Sequence, residues 1–224
     1  MEGRALTLAV LISGRGSNLA AIQREIEAGR CRAQIALVVS DRSSAAGLAF
    51  AAARGLASAV VPMRAHPERA AWDRALTEVV AACQPDLVVT AGFMRMLGAP
   101  FLERFARRII NVHPALLPLF PGTRAPELAI AAGVRLSGCS VHVVDGGMDS
   151  GPIIAQSAVP VLPADSAASL HERIQRAEHA LLPRVIDAIA RGAIALEPEL
   201  SLRDAILGSA DGMLTFPQLG DAAP

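Results

Sequence analysis

Lysine is absent from the 224 residues of this chain, so all 21 basic side chains are arginine. No lysine is therefore on hand to clamp a phosphate, form a Schiff base or act as a general base. Neither sign of charge is in excess: 21 acidic residues bring the formal net charge to zero. That balance offers no global basic field to nucleic acid or to an anionic membrane. Cysteine is scarce. Cys31, Cys83 and Cys139 are far apart and odd in number, which argues against a disulfide framework or zinc knuckle and for a reducing, cytoplasmic setting. They are expected to be small buried hydrophobes. Long apolar runs are missing too, since none reaches the ~20 residues of a membrane span. Leu6 to Ile12 is followed by Gly14-Arg15-Gly16 and not by a small-residue cleavage site, so a signal peptide is not expected.

What is present is an apolar, foldable chain. Hydrophobic residues make up 52% and charged residues 19%, which excludes a disordered polymer. The first half alternates apolar strands with helical patterns. Strands are expected at residues 6–12, 34–39, 57–61 and 86–90, with helices at about 17–28, 44–54 and 67–83. Ser17 or Asn18 is expected to cap the first helix. Such alternation implies βαβ units and a parallel sheet covered on both faces. The second half reads differently: a strand at 108–113, a Pro-rich loop at 114–126, a short helix near 127–132, then strands at 137–144 and 152–161 that could pair locally. A long helix, about 166–191, is stopped by Gly192. The expectation is one α/β domain over residues 1–192, parallel in its N-terminal half and continuing into a mixed, partly antiparallel C-terminal half. A C-terminal tail, 193–224, follows.

Two places carry chemistry. The first is Ser13-Gly14-Arg15-Gly16-Ser17-Asn18-Leu19, between the first strand and the first helix. An α/β sheet presents backbone N–H groups and a positive helix end there. A Walker-type loop would need lysine. A dinucleotide fingerprint would need a small residue at Leu19, although Asp41 after the second strand mimics its ribose-binding acid. Monophosphate binding fits best, with a plain tight turn and an oxidoreductase site as the other readings.

The second place is Asn111-Val112-His113-Pro114. Strand alternation puts Asn111 and His113 on one face. An amide donor can hold the oxyanion of a tetrahedral intermediate, and an imidazole can move protons near neutral pH. Asp149, in the loop Asp145-Gly146-Gly147-Met148-Asp149-Ser150-Gly151, could fold back beside that pair and stabilise an imidazolium. Asp145 reads equally as a competing acidic candidate and as a turn former, and His142 as a residue packed in its strand, with contact to the site as the lesser alternative. No Gly-x-Ser-x-Gly elbow and no His-Glu-x-x-His spacing occurs, so direct attack by a substrate amine, without covalent enzyme or metal, fits best.

Together these segments resemble the phosphoribosylglycinamide formyltransferase family of purine biosynthesis. The resemblance runs from about residue 6 to 192. It is carried by residues 11–19, by Ala91-Gly92-Phe93-Met94-Arg95-Met96-Leu97 and by Ile110 to Pro118. Gly138 to Val144, Met148 to Ile154 and Arg173 to His179 complete it. It implies a Rossmann-like half that binds substrate phosphate and a second half that carries the folate cleft. By that likeness Gly16, Ser17 and Asn18 hold the phosphate of glycinamide ribonucleotide, and Glu178 faces its ribose. Arg69, Met94, Arg95, Met96, Leu97 and Asn111 would line the site for 10-formyltetrahydrofolate, a co-substrate and not a resident cofactor. Asn111, His113 and Asp149 would form the catalytic group. Two departures stand out: Arg124 where many relatives have histidine, and Gln175 where some have lysine.

Sibling activities are weighed on the same likeness. A formyltetrahydrofolate hydrolase would carry a preceding regulatory domain, and a methionyl-tRNA formyltransferase a further C-terminal domain and a basic face. Neither fits a neutral chain whose first strand begins near Met1 and which ends at Pro224. The chain is expected to act on small molecules, as a monomer or homodimer, without nucleic acid, membrane or metal.

Overall fold

The computed structural model describes residues 4–197, 199–202, 206–210 and 213–218. Part of the expected tail, at 198, 203–205, 211–212 and 219–224, lies outside the described residues. The chain divides into two compact units, Met1–Asn111 and Val112–Pro224.

The first unit is built from β1 (Leu6–Ile12), α1 (Ser17–Glu27), β2 (Ala33–Ser40), α2 (Ala46–Ala53), β3 (Ser58–Val60), α3 (Arg69–Ala81), β4 (Leu87–Thr90), α4 (Ala99–Arg104) and most of β5 (Ile109–His113). Its strands lie side by side in the order β3-β2-β1-β4-β5, every pairing parallel. The central strand β1 is the most apolar. Leu8 through Ile12 have no exposed surface, and each large side chain so buried contributes about 1.5–3 kcal/mol. Trp72 anchors α3 by burying its ring while its indole N–H donates to the Val61 carbonyl at 2.8 Å. This is the parallel α/β half that the alternating pattern implies.

Two local expectations are corrected. The residue that caps α1 is Gly16, not Ser17 or Asn18, and no side-chain cap bond forms there. With φ 74° Gly16 turns the chain from β1 into the helix within one residue, a conformation open to glycine and costly for L side chains. The second is α4, which the periodicity did not reveal. Six residues with Pro100 in the first turn are too short to display a helical repeat.

The second unit holds α5 (Ala125–Ala131), β6 (Leu136–Val143), β7 (Ile153–Pro160), α6 (Ala167–Ala190), β8 (Ile194–Ala195), β9 (Ser201–Leu202), β10 (Ile206–Ala210) and β11 (Met213–Gln218). β6 and β7 pair antiparallel, with Ser140 opposite Gln156 and a bulge between Val141 and His142. β11 adds antiparallel to β7, and β10 to β11. α6 packs on β6 and β7. It starts at a capping box made by Ser166 and Ser169, which supplies partners for end groups that the helix cannot pair itself. It also runs through Pro183, whose missing N–H removes one internal bond. Burial of Leu181, Leu182, Val185 and Ile186 along its inner face offsets that loss. Among the described residues no helix is long and apolar enough to cross a membrane.

Candidate active site

The glycine loop at the end of β1 rests on the start of α2. A Cβ placed on Gly16 would lie 2.8 Å from Gly47 Cα, and one placed on Gly47 would lie 2.5 Å from Ile12 Cδ1. The Gly47 N–H donates to the Gly14 carbonyl at 3.0 Å. Gly16 is thus required by the close approach of the Gly47 backbone, and Gly47 by the Ile12 side chain with the Gly16 backbone behind it, whereas at Gly14 no atom lies within 4 Å of an added Cβ. This arrangement places the first turn of α1 at the sheet's carboxyl edge, with Ser17 half-buried and Asn18 buried. Backbone N–H groups and the positive dipole end there suit an anion.

The segment after β4 is tied to that loop. Ser13 N–H donates to the Gly92 carbonyl at 3.2 Å, and Met94 N–H to Ser13 Oγ at 2.8 Å. Arg95 Nε donates to Asp41 Oδ2 at 2.7 Å. Asp41 has no exposed side-chain surface, and its Oδ2 is paired with Arg95, so the carboxylate is not open to a ribose, which counts against the dinucleotide reading. Arg69 holds the same segment from α3: Nε donates to both oxygens of Asp73 at 3.0–3.1 Å, and a terminal nitrogen donates to the Met96 carbonyl. Met94 and Met96 are 55% and 44% exposed, whereas Leu97 is buried. The segment therefore offers two thioether side chains to solvent on a fixed backbone.

Asn111 sits opposite Thr90, across from β4. The Thr90 hydroxyl donates to Asn111 Oδ1 at 2.8 Å. With the amide oxygen engaged, the NH₂ end is the one that acts as donor. Sequence reasoning passed over Thr90, although it is the one polar residue in the run Leu87-Val88-Val89-Thr90.

Two residues on, buried His113 belongs to the second unit. Its Nε2 lies 2.8 Å from the Phe120 carbonyl and its Nδ1 3.3 Å from Asp149 Oδ2. A carbonyl oxygen only accepts, so Nε2 carries a hydrogen, and Nδ1 is the nitrogen facing the carboxylate. Asp149 adopts φ 50°, which an aspartate tolerates better than most residues. It accepts from Gly122 N–H at 2.9 Å, and its Oδ1 lies 3.5 Å from His142 Nε2. Burial acts to raise the Asp149 pKa, but His142, the Gly122 N–H and His113 together outweigh it and hold the carboxyl below its ordinary value. His142 was expected to pack in its strand, with contact to the site as the lesser alternative. It is buried there, yet it also forms the second imidazole on Asp149. The alternation His142, Ser140 along β6 is the signal that could have found it.

Asp145 is the turn former of that loop, accepting from Gly147 N–H and the Ser150 hydroxyl. Glu178 is buried in α6, not a surface acid. Burial, with the Glu178 charge adding to it, pushes the Cys139 thiol well above its usual range, so this cysteine is inert as a nucleophile. Cys31 is buried as expected, while Cys83 is only partly so. Arg124 is exposed at the start of α5, and Gln175 is half-buried in α6.

Comparison with known proteins gives one consistent picture. Residues 6–186 match the family described as Formyl transferase. The phosphoribosylglycinamide formyltransferase of Mycobacterium tuberculosis is 47% identical over 183 residues, covering 82% of this chain and 84% of that protein. The trifunctional purine biosynthetic protein adenosine-3 of Drosophila melanogaster is 42% identical over 206 residues, which are 90% of this chain but 15% of the fly protein. The chain thus spans a small part of that relative's length. The crystal structure of glycinamide ribonucleotide transformylase 1 from Symbiobacterium toebii superposes with a TM-score of 0.87 at 42% identity, covering 91% of this chain and 96% of that one.

Proposed function

This chain belongs to the formyl transferase family, and from that premise we propose that it moves the formyl group of 10-formyltetrahydrofolate to the amine of N1-(5-phospho-D-ribosyl)glycinamide, a step of purine biosynthesis. The observation that carries the reading is the Asp149 carboxylate held between His113 and His142, on the loop that Gly122 grips. Such a carboxylate stays ionised at neutral pH and can take a proton from an attacking amine, directly or through water.

Roles follow from atom types. Ser17, Asn18 and the N–H groups beside Gly16 receive the substrate phosphate, and Glu178 its ribose hydroxyls. Met94, Arg95, Met96 and Leu97, with Arg69 behind them, receive the folate. The amine nitrogen attacks the formyl carbon, and a C–N bond forms while the carbonyl pair moves to oxygen. Asn111 NH₂ and a His113 Nδ1–H stabilise that oxyanion. Asp149 takes the proton that the amine sheds. The tetrahedral centre then expels the folate N10, which keeps the bonding pair and takes its proton from His113. Asp149 then returns that proton to His113 Nδ1, 3.3 Å away, so that in effect one amine proton ends on N10 and both side chains regain their starting states.

An absorbance assay of folate deformylation, run with and without glycinamide ribonucleotide, tests the proposal. Turnover that requires the ribonucleotide is the expected outcome. Turnover at the same rate without it would make the chain a hydrolase.

A further inference from the structure

The loop that follows His113 is held by two side chains that the proposed chemistry does not use. Ser140 has no exposed surface. Its hydroxyl donates to the Ala115 carbonyl at 2.7 Å and accepts from Leu117 N–H at 3.0 Å and from Gln156 Nε2 at 2.8 Å. One donor and two acceptor sites are the whole capacity of a serine. Gln156 spends its second amide hydrogen on the Leu117 carbonyl at 3.0 Å. The β6–β7 register sets these residues directly opposite each other, so the pair acts as one clamp on residues 115–117. Three residues further, Phe120 stands at φ 54°. The left-handed region is unfavourable for a phenylalanine, so the loop does not choose this shape by itself. The result of that shape is the Phe120 carbonyl aimed at His113 Nε2.

We propose that Ser140 and Gln156 are positioning residues for His113, clamping the 115–120 loop so that the Phe120 carbonyl keeps a hydrogen on Nε2 and leaves Nδ1 as the nitrogen that exchanges its proton. This deepens the formyl-transfer reading and rests on it for the role of His113. It assigns β6 two tasks on one face: Ser140 sets the loop behind the imidazole, and His142 faces the carboxylate in front of it. Without the clamp the Phe120 carbonyl no longer competes with the Asp149 carboxylate, which accepts from an Nδ1–H, and the neutral ring loses its bias toward hydrogen on Nε2. A ring with its hydrogen on Nδ1 would offer Nε2 to a carbonyl that cannot donate, and proton transfer at Nδ1 would be lost in that fraction of molecules.

The test combines kinetics with nitrogen NMR of the ligand-free protein, labelled at histidine, at a pH where the ring is neutral. In wild type the His113 signals should show hydrogen on Nε2. In Ser140→Ala and Gln156→Met they should move toward a mixture of tautomers. In the same variants kcat should fall about ten- to a hundredfold, the scale of a small misplacement at a reacting group, with both KM values within about twofold. Ser140→Thr, which keeps the hydroxyl, should recover most of the rate. Variants that melt earlier but keep the wild-type tautomer and kcat would reduce the clamp to a structural role and overturn the proposal. If the variants do not fold, the wild-type spectrum decides: hydrogen mainly on Nδ1 contradicts the proposal outright. A correct tautomer and the expected shifts in a protein that transfers no formyl group would instead sink the functional reading and leave the clamp standing.

Discussion

Replacing Gly16 by alanine should destabilise the protein before it affects any ligand. Two costs add. At φ 74° an L side chain pays about 1–2 kcal/mol. The new Cβ would also lie 2.8 Å from Gly47 Cα, backbone that cannot swing aside, and forced overpacking of this kind costs about 1–3 kcal/mol. The sum, about 2–5 kcal/mol, is a large share of the roughly 5–15 kcal/mol of a folded domain. For a chain of this size it lowers Tm by about 4–20 °C. Gly14→Ala is the control: nothing lies within 4 Å of its added Cβ, so its change should stay within about 0.5 kcal/mol. Differential scanning calorimetry on the three proteins reads this directly. A Gly16→Ala protein that melts within about 1 °C of wild type would refute the packing argument. It would return Gly16 to the role of a residue kept small for a ligand. Loss of activity in this variant is therefore no evidence of phosphate contact.

Other expectations concern ligands and charge. Ser17→Ala should raise KM for the phosphorylated substrate by roughly ten- to a hundredfold, the worth of a hydrogen bond to a charged group, and leave KM for the folate unchanged. Equal rises in both would move the phosphate elsewhere. Asn111→Ala should lower kcat by ~10²–10³ with binding largely kept. Combined with Asp149→Ala it should cost clearly less than the product of the single effects; strictly multiplicative losses would show independent action. A folate analogue at a hundredfold excess over Kd should stabilise the protein by roughly 2.7 kcal/mol, and calorimetry showing no folate binding would remove the donor assignment. Asp149, held below its ordinary pKa, adds stability that is present above the unfolded carboxylate value of about 3.9 and is lost as pH falls through the lower folded value. The Tm gap between wild type and Asp149→Asn should thus narrow as the pH falls below about 4. A gap that widens in acid would contradict the sign.

The strands of the first unit were legible because each is a continuous apolar run bounded by turn residues, the pattern of a parallel sheet covered on both faces. The antiparallel β6–β7 pair was legible from two apolar runs around a Gly/Asp loop. Helix starts were less so. Ser17 reads as a cap by residue type, yet the close approach of Gly47, thirty-one residues away in sequence, decides the matter in favour of Gly16. In the candidate site, the His113–Asp149 pairing was legible as two residue types that chemistry would join. His142, Thr90, Ser140 and the Phe120 carbonyl were not. Each acts through register or through a backbone atom, and a one-dimensional pattern carries neither. Asp41 shows the converse. Its position matches a ribose-binding acid, and only the contact with Arg95 reveals that it is already engaged.

Direct transfer to an amine is the centre of this account, and rapid quench with a donor radiolabelled in the formyl group tests it most directly. In a single turnover with glycinamide ribonucleotide present, label should pass from folate to the ribonucleotide amine, with none on acid-precipitated protein and none as formate. Label on the protein would mean a covalent intermediate. Label released as formate at the same rate with or without the ribonucleotide would mean that water, not the amine, is the acceptor.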